Sequence, residues 1–134
     1  MRGHGAIKVL FLIAAVYDGV LGLAFLLVPG RLFDAFGVIP PNHWGYVHFP
    51  AALLIVFAVL FLAVARDPQG NRNLIPYGIM LKVAYCGVVA WHWATAGIPG
   101  MWKPFAVADL VFGLLFAWAY FHVASTRRIP RDSG

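Results

Sequence analysis

Asp18, Lys82 and Asp109 lie well inside long apolar stretches of this 134-residue chain, where a charge is costly unless it has a partner or a function. Asp18 and Lys82 fall at similar depths near the middle of their stretches, so we expect them to form an ion pair. Such a pair either holds two helices together or marks a proton path or a polar pocket. A third interpretation is that Lys82 extends alone to the membrane surface.

The third ionisable residue, Asp109, belongs to a group of polar residues predicted at the outer ends of the apolar segments. His48, His92 and Asp109 fall at one depth, and two imidazoles with a carboxylate could bind a transition metal. Two facing histidines could also ligate a haem iron, and a quinone or another small amphiphile is a further candidate ligand. No HxxxH or HExxH spacing accompanies these residues. A histidine between tryptophans, as His92 is, commonly forms hydrogen bonds at the headgroup level instead.

Other groups that support catalysis are scarce in this chain. It contains no glutamate, and its serines, Ser125 and Ser133, both lie close to the C-terminus. Cys86 is the only cysteine, which excludes an intrachain disulfide, a CxxC redox pair and a cysteine-based metal site. The residues therefore favour a non-enzymatic protein, for which no cofactor is required.

The elements that must position these residues are predicted from composition. Hydrophobic residues make up 62% of the chain and charged residues 11%, against roughly 25% charged residues in a soluble domain. Four apolar segments reach the length of about 20 residues that crosses a bilayer, and a segment in lipid must be helical. They cover residues 7–28, 44–65, 74–96 and 105–124. The sequence thus predicts an all-α integral membrane four-helix bundle over residues 1–126, followed by a polar cytoplasmic tail, 127–134.

The distribution of basic residues predicts the orientation of this bundle. With the N-terminus inside, seven Lys and Arg residues lie on the cytoplasmic side and two on the other, so both termini are expected in the cytoplasm of a multi-pass inner-membrane protein. The same distribution explains the net charge of +5 without a nucleic-acid partner. In the first outer loop, apolar residues on one side of a turn predict a short interfacial helix. An aromatic belt is predicted at the outer boundary, with Trp44, Tyr46, Trp91, Trp93 and Trp102.

Helices 1 and 4 carry similar sequences around their aspartates. Residues 15–25 and 106–116 are identical at seven of eleven positions, including Asp18, Asp109 and a glycine four residues after each. Since the two helices run in opposite directions, this is an inverted repeat of the kind found in some transporters. The simpler interpretation is that the aspartate and glycine solve the same packing problem twice, because glycine lets a neighbouring helix approach and aspartate bonds to it.

Two stretches resemble a known group of proteins. Residues 66–82 (RDPQGNRNLIPYGIMLK) and 97–109 (GIPGMWKPFAVAD) are similar to small four-helix bacterial membrane proteins of the DoxX-like kind. The resemblance implies a four-helix membrane architecture over nearly the whole chain. For some members of that wider group it also implies a role as membrane partner of sulfur-compound or quinone-linked oxidoreductases. It transfers no catalytic residue to this sequence.

Three functional hypotheses follow. The first is a small accessory subunit or self-associating scaffold in the membrane, with close-contact faces for other membrane subunits or a second copy. Such faces are predicted at Gly19, Gly22, Gly78, Gly87 and Gly113. The alternative is a redox-associated membrane protein that binds a quinone, a haem or a metal through the outer His/Asp cluster. A proton-coupled carrier that uses Asp18 and Lys82 is the third.

Overall fold

A computed structural model of the chain describes the backbone of residues 2–126 and the side chains of residues 4–123. The predicted polar tail, 127–134, lies outside the described residues. The described residues form helices without any strand, which confirms the predicted all-α class. The helices are α1 (Arg2–Leu27), α2 (Pro29–Ala35), α3 (Gly45–Arg66), α4 (Ile75–Thr95) and α5 (Trp102–Thr126), with a 3₁₀ turn at Arg72–Leu74. All but α2 are long and apolar enough to cross a membrane, so four candidate spans are confirmed within the described residues.

The helix boundaries differ from the predicted ones at two N-termini. Helix α1 begins at Arg2 instead of residue 7, since polar residues can continue a helix beyond its apolar part. Helix α5 begins at Trp102 instead of residue 105, because Pro104 lies in the first turn, where a missing N–H leaves no hydrogen bond unmade. At the other end of α4, Gly97 adopts a φ of 82°, a left-handed conformation that suits glycine and ends the helix.

The first loop contains the predicted short helix, α2, with Pro29 in its first turn. Gly37 follows it with a φ of 66°, which turns the chain away from the helix. The side chain of Phe33 is buried against the four-helix bundle, so α2 is packed on protein along at least one side. Its position relative to the membrane interface stays a prediction.

The bundle is built from two closely packed helix pairs, α1 with α3 and α4 with α5. In the first pair, a Cβ atom added to Gly22 would lie 2.7 Å from the carbonyl oxygen of Ala51, so only glycine allows this approach. In the second pair, a Cβ atom added to Gly113 would lie 3.4 Å from Cβ of Lys82, an ordinary contact. Contacts between the two pairs depend more on long side chains than on close backbones.

The half of the bundle that holds the beginning of α1 and the end of α5, here called the terminal half, is solid. Its centre is a cluster of three phenylalanines, Phe11, Phe61 and Phe116, from α1, α3 and α5. The rings of Phe11 and Phe116 stack with their centroids 4.6 Å apart, and Phe61 lies 5.0 Å from Phe116. All three side chains are completely buried, so three of the four spanning helices meet here.

The opposite half, here called the loop half, contains α2 and the connections 36–44 and 96–101. Its buried cluster is smaller and consists of Phe25, Phe33, Ala51 and Met101. Partly buried aromatic residues surround this cluster, among them Trp102 and Phe105 from the first turn of α5. The loop half therefore has fewer fully buried side chains to fill the space between the helix pairs.

Candidate functional site

A buried ionic cluster of Asp18, Lys82 and Asp109 joins three helices in the middle of the bundle. Nζ of Lys82 lies 3.1 Å from Oδ1 and 3.2 Å from Oδ2 of Asp18, and 3.0 Å from Oδ1 of Asp109. The side chains of Lys82 and Asp18 are each 1% exposed. The ammonium donates hydrogen bonds to carboxylates on both α1 and α5, so a single lysine on α4 connects the two helix pairs.

The repeat of aspartate and glycine explains how α5 positions this cluster. Gly113 leaves room for the stem of Lys82 where it leaves α4, and Asp109 lies one helical turn further along α5. One turn rises about 5.4 Å, a distance that an extended lysine stem covers. In α1 the equivalent Gly22 faces Ala51 of α3 and does not contact the lysine. The two aspartates thus share one function, binding the ammonium, while the two glycines serve different helix contacts.

The two carboxylates of the cluster differ in their contacts. Both oxygens of Asp18 accept hydrogen bonds from Lys82. Asp109 uses only Oδ1 for this purpose, and its side chain is 10% exposed. Oδ2 of Asp109 has no hydrogen-bond partner among the described residues, and it is not completely buried. It therefore keeps some accessible surface, and Asp109 is one of the residues that line a cavity.

This cavity occupies the loop half, between the two helix pairs, and has a volume of about 520 Å³. Asp18 and Asp109 both line it, and the rest of the lining comes mainly from apolar and aromatic side chains. Ile39 and Tyr46 also line the cavity and are 87% and 72% exposed, so it reaches the surface of the bundle beside α2 and the start of α3. Cavities of roughly 300–1,000 Å³ with a few polar groups are typical of small-molecule sites.

Aromatic side chains form much of the wall of the cavity. The rings of Phe25 and Trp102 stack with their centroids 5.9 Å apart, and Phe105 meets Phe25 edge-on at 6.1 Å. The hydroxyl group of Tyr85 donates a hydrogen bond of 2.9 Å to the carbonyl oxygen of Trp102, which fixes the start of α5 against α4. That hydroxyl already has its acceptor, so it is not free to donate to a bound molecule. The carboxylates at the inner end of the cavity offer hydrogen-bond acceptors only, when ionised.

The predicted cluster of His48, His92 and Asp109 does not form a metal-binding group. Among the described residues, no three His, Cys, Asp or Glu side chains lie close enough together to hold a metal ion. Asp109 contacts Lys82 instead of a histidine. Neither His48 nor His92 lines the cavity, and His92 is exposed. The physical reason is that equal depth along the membrane normal does not determine which side of its helix a residue occupies.

Sequence reasoning assigned Trp102 to an aromatic belt and did not connect Phe25, Phe33 or Tyr85 with a site. In the structure Trp102 turns inward and packs against Phe25 and Phe33. A signal was present in the sequence, because Phe25 and Trp102 lie seven residues towards the loop half from Asp18 and Asp109, respectively. Two helical turns separate each aromatic residue from its aspartate, so both occupy the same helix faces as the aspartates.

Comparison of the chain with models of known families, with curated proteins and with solved structures gives no match. The resemblance to DoxX-like proteins therefore stays a prediction.

Proposed function

We propose that this protein is a small, non-enzymatic integral membrane protein that binds an amphiphilic molecule in the loop half of its bundle. The observation that carries the proposal is the apolar cavity of about 520 Å³ with an accessible, buried carboxylate, Asp109, at its inner end. A purely structural ion cluster would have each carboxylate oxygen satisfied and no open space beside it. The apolar walls suit the body of an amphiphile, and the carboxylate suits its polar end.

The positive-inside distribution of Lys and Arg supports an orientation for this site. With both termini in the cytoplasm, the loop half lies on the outer side of an inner membrane. The cavity would then receive its ligand at the level of the outer headgroups, beside Ile39 and Tyr46. A molecule already dissolved in the outer leaflet has the shortest route to this mouth.

The packing of the glycines gives less support to a scaffold or accessory subunit. Gly22, Gly78 and Gly113 face Ala51, Phe61 and Lys82 within the bundle, so these close-contact faces are already occupied. Gly19 likewise faces Ala58. Gly87 is the exception among the five, because a Cβ atom added there would meet nothing within 4 Å. A partner subunit or a second copy stays a prediction that the bundle itself does not favour.

The chemistry of the cavity also gives less support to an oxidised quinone as the ligand. Its carbonyl oxygens accept hydrogen bonds, and the carboxylates that line this cavity are acceptors as well when ionised, so neither group can donate to the other. Lys82 could supply a donor, but its ammonium is engaged with both carboxylates and its side chain is 1% exposed. The cavity consequently suits a molecule that donates hydrogen bonds through its polar end, such as an alcohol, a quinol or an amine.

The proposal can be tested by titrating the purified protein in lipid nanodiscs with 2-(2-naphthyl)ethanol and measuring heat by calorimetry. We expect saturable binding that is absent from empty nanodiscs. Leu21→Trp narrows the cavity, because Leu21 lines it, and should weaken saturable binding markedly. Leu23→Trp is the matched control, since Leu23 lies two residues away in α1, outside the cavity lining, and is 49% exposed. Equal binding by both variants would refute the proposed function, as would an absence of saturable binding by this alcohol and by its amine and hydrocarbon analogues to the unsubstituted protein.

A further inference from the structure

We propose that the molecule bound in this cavity carries an ammonium group, and that Oδ2 of Asp109 accepts a hydrogen bond from it. This inference rests on the proposed function and specifies the chemical class of the ligand: an apolar, preferably aromatic, body with a single amine. Three observations support it, namely the charge of the ionic cluster, the different contacts of its two carboxylates and the aromatic wall.

The first observation is the balance of formal charge in the cluster. Lys82 contributes one positive charge, while Asp18 and Asp109 contribute one negative charge each when ionised, which leaves a surplus of one negative charge. Among the described residues, Lys82 is the only basic side chain that forms a salt bridge with either carboxylate. A buried charge without a counterion is unfavourable in a membrane, so a cation that enters the cavity would gain by neutralising it, in competition with a proton on either carboxylate.

The second observation identifies the carboxylate that would bind the cation. Both oxygens of Asp18 are occupied by Lys82, so Asp18 serves to position the lysine. Asp109 contacts Lys82 through Oδ1 alone, and its Oδ2 is accessible although nine-tenths of the side chain is buried. A primary ammonium has three N–H donors, of which one could bond to Oδ2 while the surrounding space admits the rest of the molecule.

The third observation is the composition of the cavity wall. Phe25, Phe33, Tyr85, Trp102 and Phe105 line the cavity together with both aspartates. The faces of aromatic rings carry negative electrostatic potential and attract cations within about 6 Å. The same rings pack well against an aromatic ligand body. This wall therefore favours an aromatic body on the ligand, and any ring face within that distance of the ammonium would favour the cation as well.

Three naphthalene probes of nearly equal size separate this inference from the proposed function. They are 2-(2-naphthyl)ethylamine, which is an ammonium at neutral pH, 2-(2-naphthyl)ethanol, which is a neutral donor, and 2-propylnaphthalene, which has no polar group. Each is titrated into the unsubstituted protein in nanodiscs, with empty nanodiscs as the reference for partition into lipid. We expect the amine to bind about tenfold more tightly than the alcohol, because both can donate a hydrogen bond to the carboxylate but only the ammonium neutralises the surplus negative charge of the cluster. The hydrocarbon should bind least tightly.

Asp109→Asn tests the role of the free oxygen with the smallest change in shape. This variant leaves Asp18 and Lys82 as a neutral pair, and its fold is checked by circular dichroism and gel filtration. We expect its affinity for the amine to fall about 10- to 100-fold, and its preference for the amine over the alcohol to disappear. Asp34→Asn is the matched control, since Asp34 is an exposed aspartate in α2 outside the cavity lining, and it should bind all three probes unchanged.

The possible outcomes distinguish the two proposals. If none of the three probes binds saturably, the proposed function fails and this inference fails with it. If the alcohol or the hydrocarbon binds as tightly as the amine to the unsubstituted protein, the cavity binds amphiphiles without selecting a cation, and only this inference is overturned. That ranking needs no variant, so a failure of Asp109→Asn to fold would not remove the test. Retained selectivity for the amine in a folded Asp109→Asn variant would overturn the role of Asp109.

Discussion

The terminal half and the loop half of this bundle contain similar residue types but pack them differently. In the terminal half, Phe116 lies 4.6 Å from Phe11 and 5.0 Å from Phe61, measured between ring centroids. In the loop half, Trp102 lies 5.9 Å from Phe25 and 6.0 Å from Phe33, and a cavity of about 520 Å³ separates the helix pairs. Since the same four spanning helices run through both halves, the difference comes from the separation of the two helix pairs and the direction of their side chains, and not from helix length.

The comparison suggests that the two halves have different roles, the terminal half stabilising the bundle and the loop half binding a ligand. Close packing in the terminal half supplies dispersion contacts, which drive helix association in lipid, where water does not expel apolar groups. The loop half lacks part of this packing and retains space for a ligand. The ionic cluster lies at the boundary between them, with its carboxylates lining the cavity and Nζ of Lys82 5.7 Å from the ring centroid of Phe61.

The largest expected effect tests whether the ionic cluster holds the two helix pairs together. Lys82→Met removes the ammonium and leaves two buried carboxylates without a counterion, so we expect a loss of about 3–5 kcal/mol in the free energy of unfolding. Unfolding in mixed micelles with increasing SDS measures this quantity. Lys8→Met is the matched control, because Lys8 is exposed and should change stability little.

A compensating variant sharpens the same test. Adding Asp18→Asn and Asp109→Asn to Lys82→Met removes the unpaired charges and should recover most of the lost stability, since a buried ion cluster as a whole contributes little net stability. If Lys82→Met were no more destabilising than Lys8→Met, the ionic cluster would not join the two helix pairs.

The next effect compares the halves directly. Phe61→Ala in the terminal half leaves a void on the order of 100 Å³. Since a side chain in lipid gains little from transfer out of water, the cavity term of about 24 cal/mol per Å³ dominates and lowers the free energy of unfolding by about 2 kcal/mol. Phe105→Ala in the loop half enlarges a cavity that is already present, so fewer contacts are lost and the expected effect is under about 1 kcal/mol. SDS unfolding measures both variants, and equal losses would contradict the contrast between a solid and a hollow half.

A further effect, smaller than that of Phe61→Ala, concerns the close backbone contact between α1 and α3 in the loop half. Gly22→Ala places a methyl group 2.7 Å from the carbonyl oxygen of Ala51, and we expect a loss of about 1–2 kcal/mol as α1 moves away from α3. Gly87→Ala should instead gain up to about 1 kcal/mol, because alanine favours a helix and the added Cβ meets nothing within 4 Å. Should the two substitutions shift the SDS midpoint in the same direction, the close approach at Gly22 would be disproved.

The sequence allowed the four spanning helices and a pairing of Asp18 with Lys82 to be predicted, because hydropathy and depth can be counted along one axis. It did not place Asp109 with Lys82. Gly113 lies opposite the base of the lysine stem, and Asp109 lies one turn away from it on α5. Whether Asp109 faces the ammonium depends on the rotation of α5 about its axis, which the sequence does not specify. The cavity was equally beyond prediction, since it depends on the separation of the two helix pairs and on the inward rotamer of Trp102.

The contrast between a solid and a hollow half is tested most directly by nuclear Overhauser effects between a bound probe and methyl groups of the protein. The measurement uses methyl-labelled protein in nanodiscs with 2-(2-naphthyl)ethylamine. We expect contacts from the naphthalene protons to the methyl groups of Leu54 and Leu81, which line the cavity. We expect none to Ile7 or Val64, which are completely buried in the terminal half. Contacts confined to outward-facing methyl groups, or reaching Ile7 and Val64, would contradict this expectation.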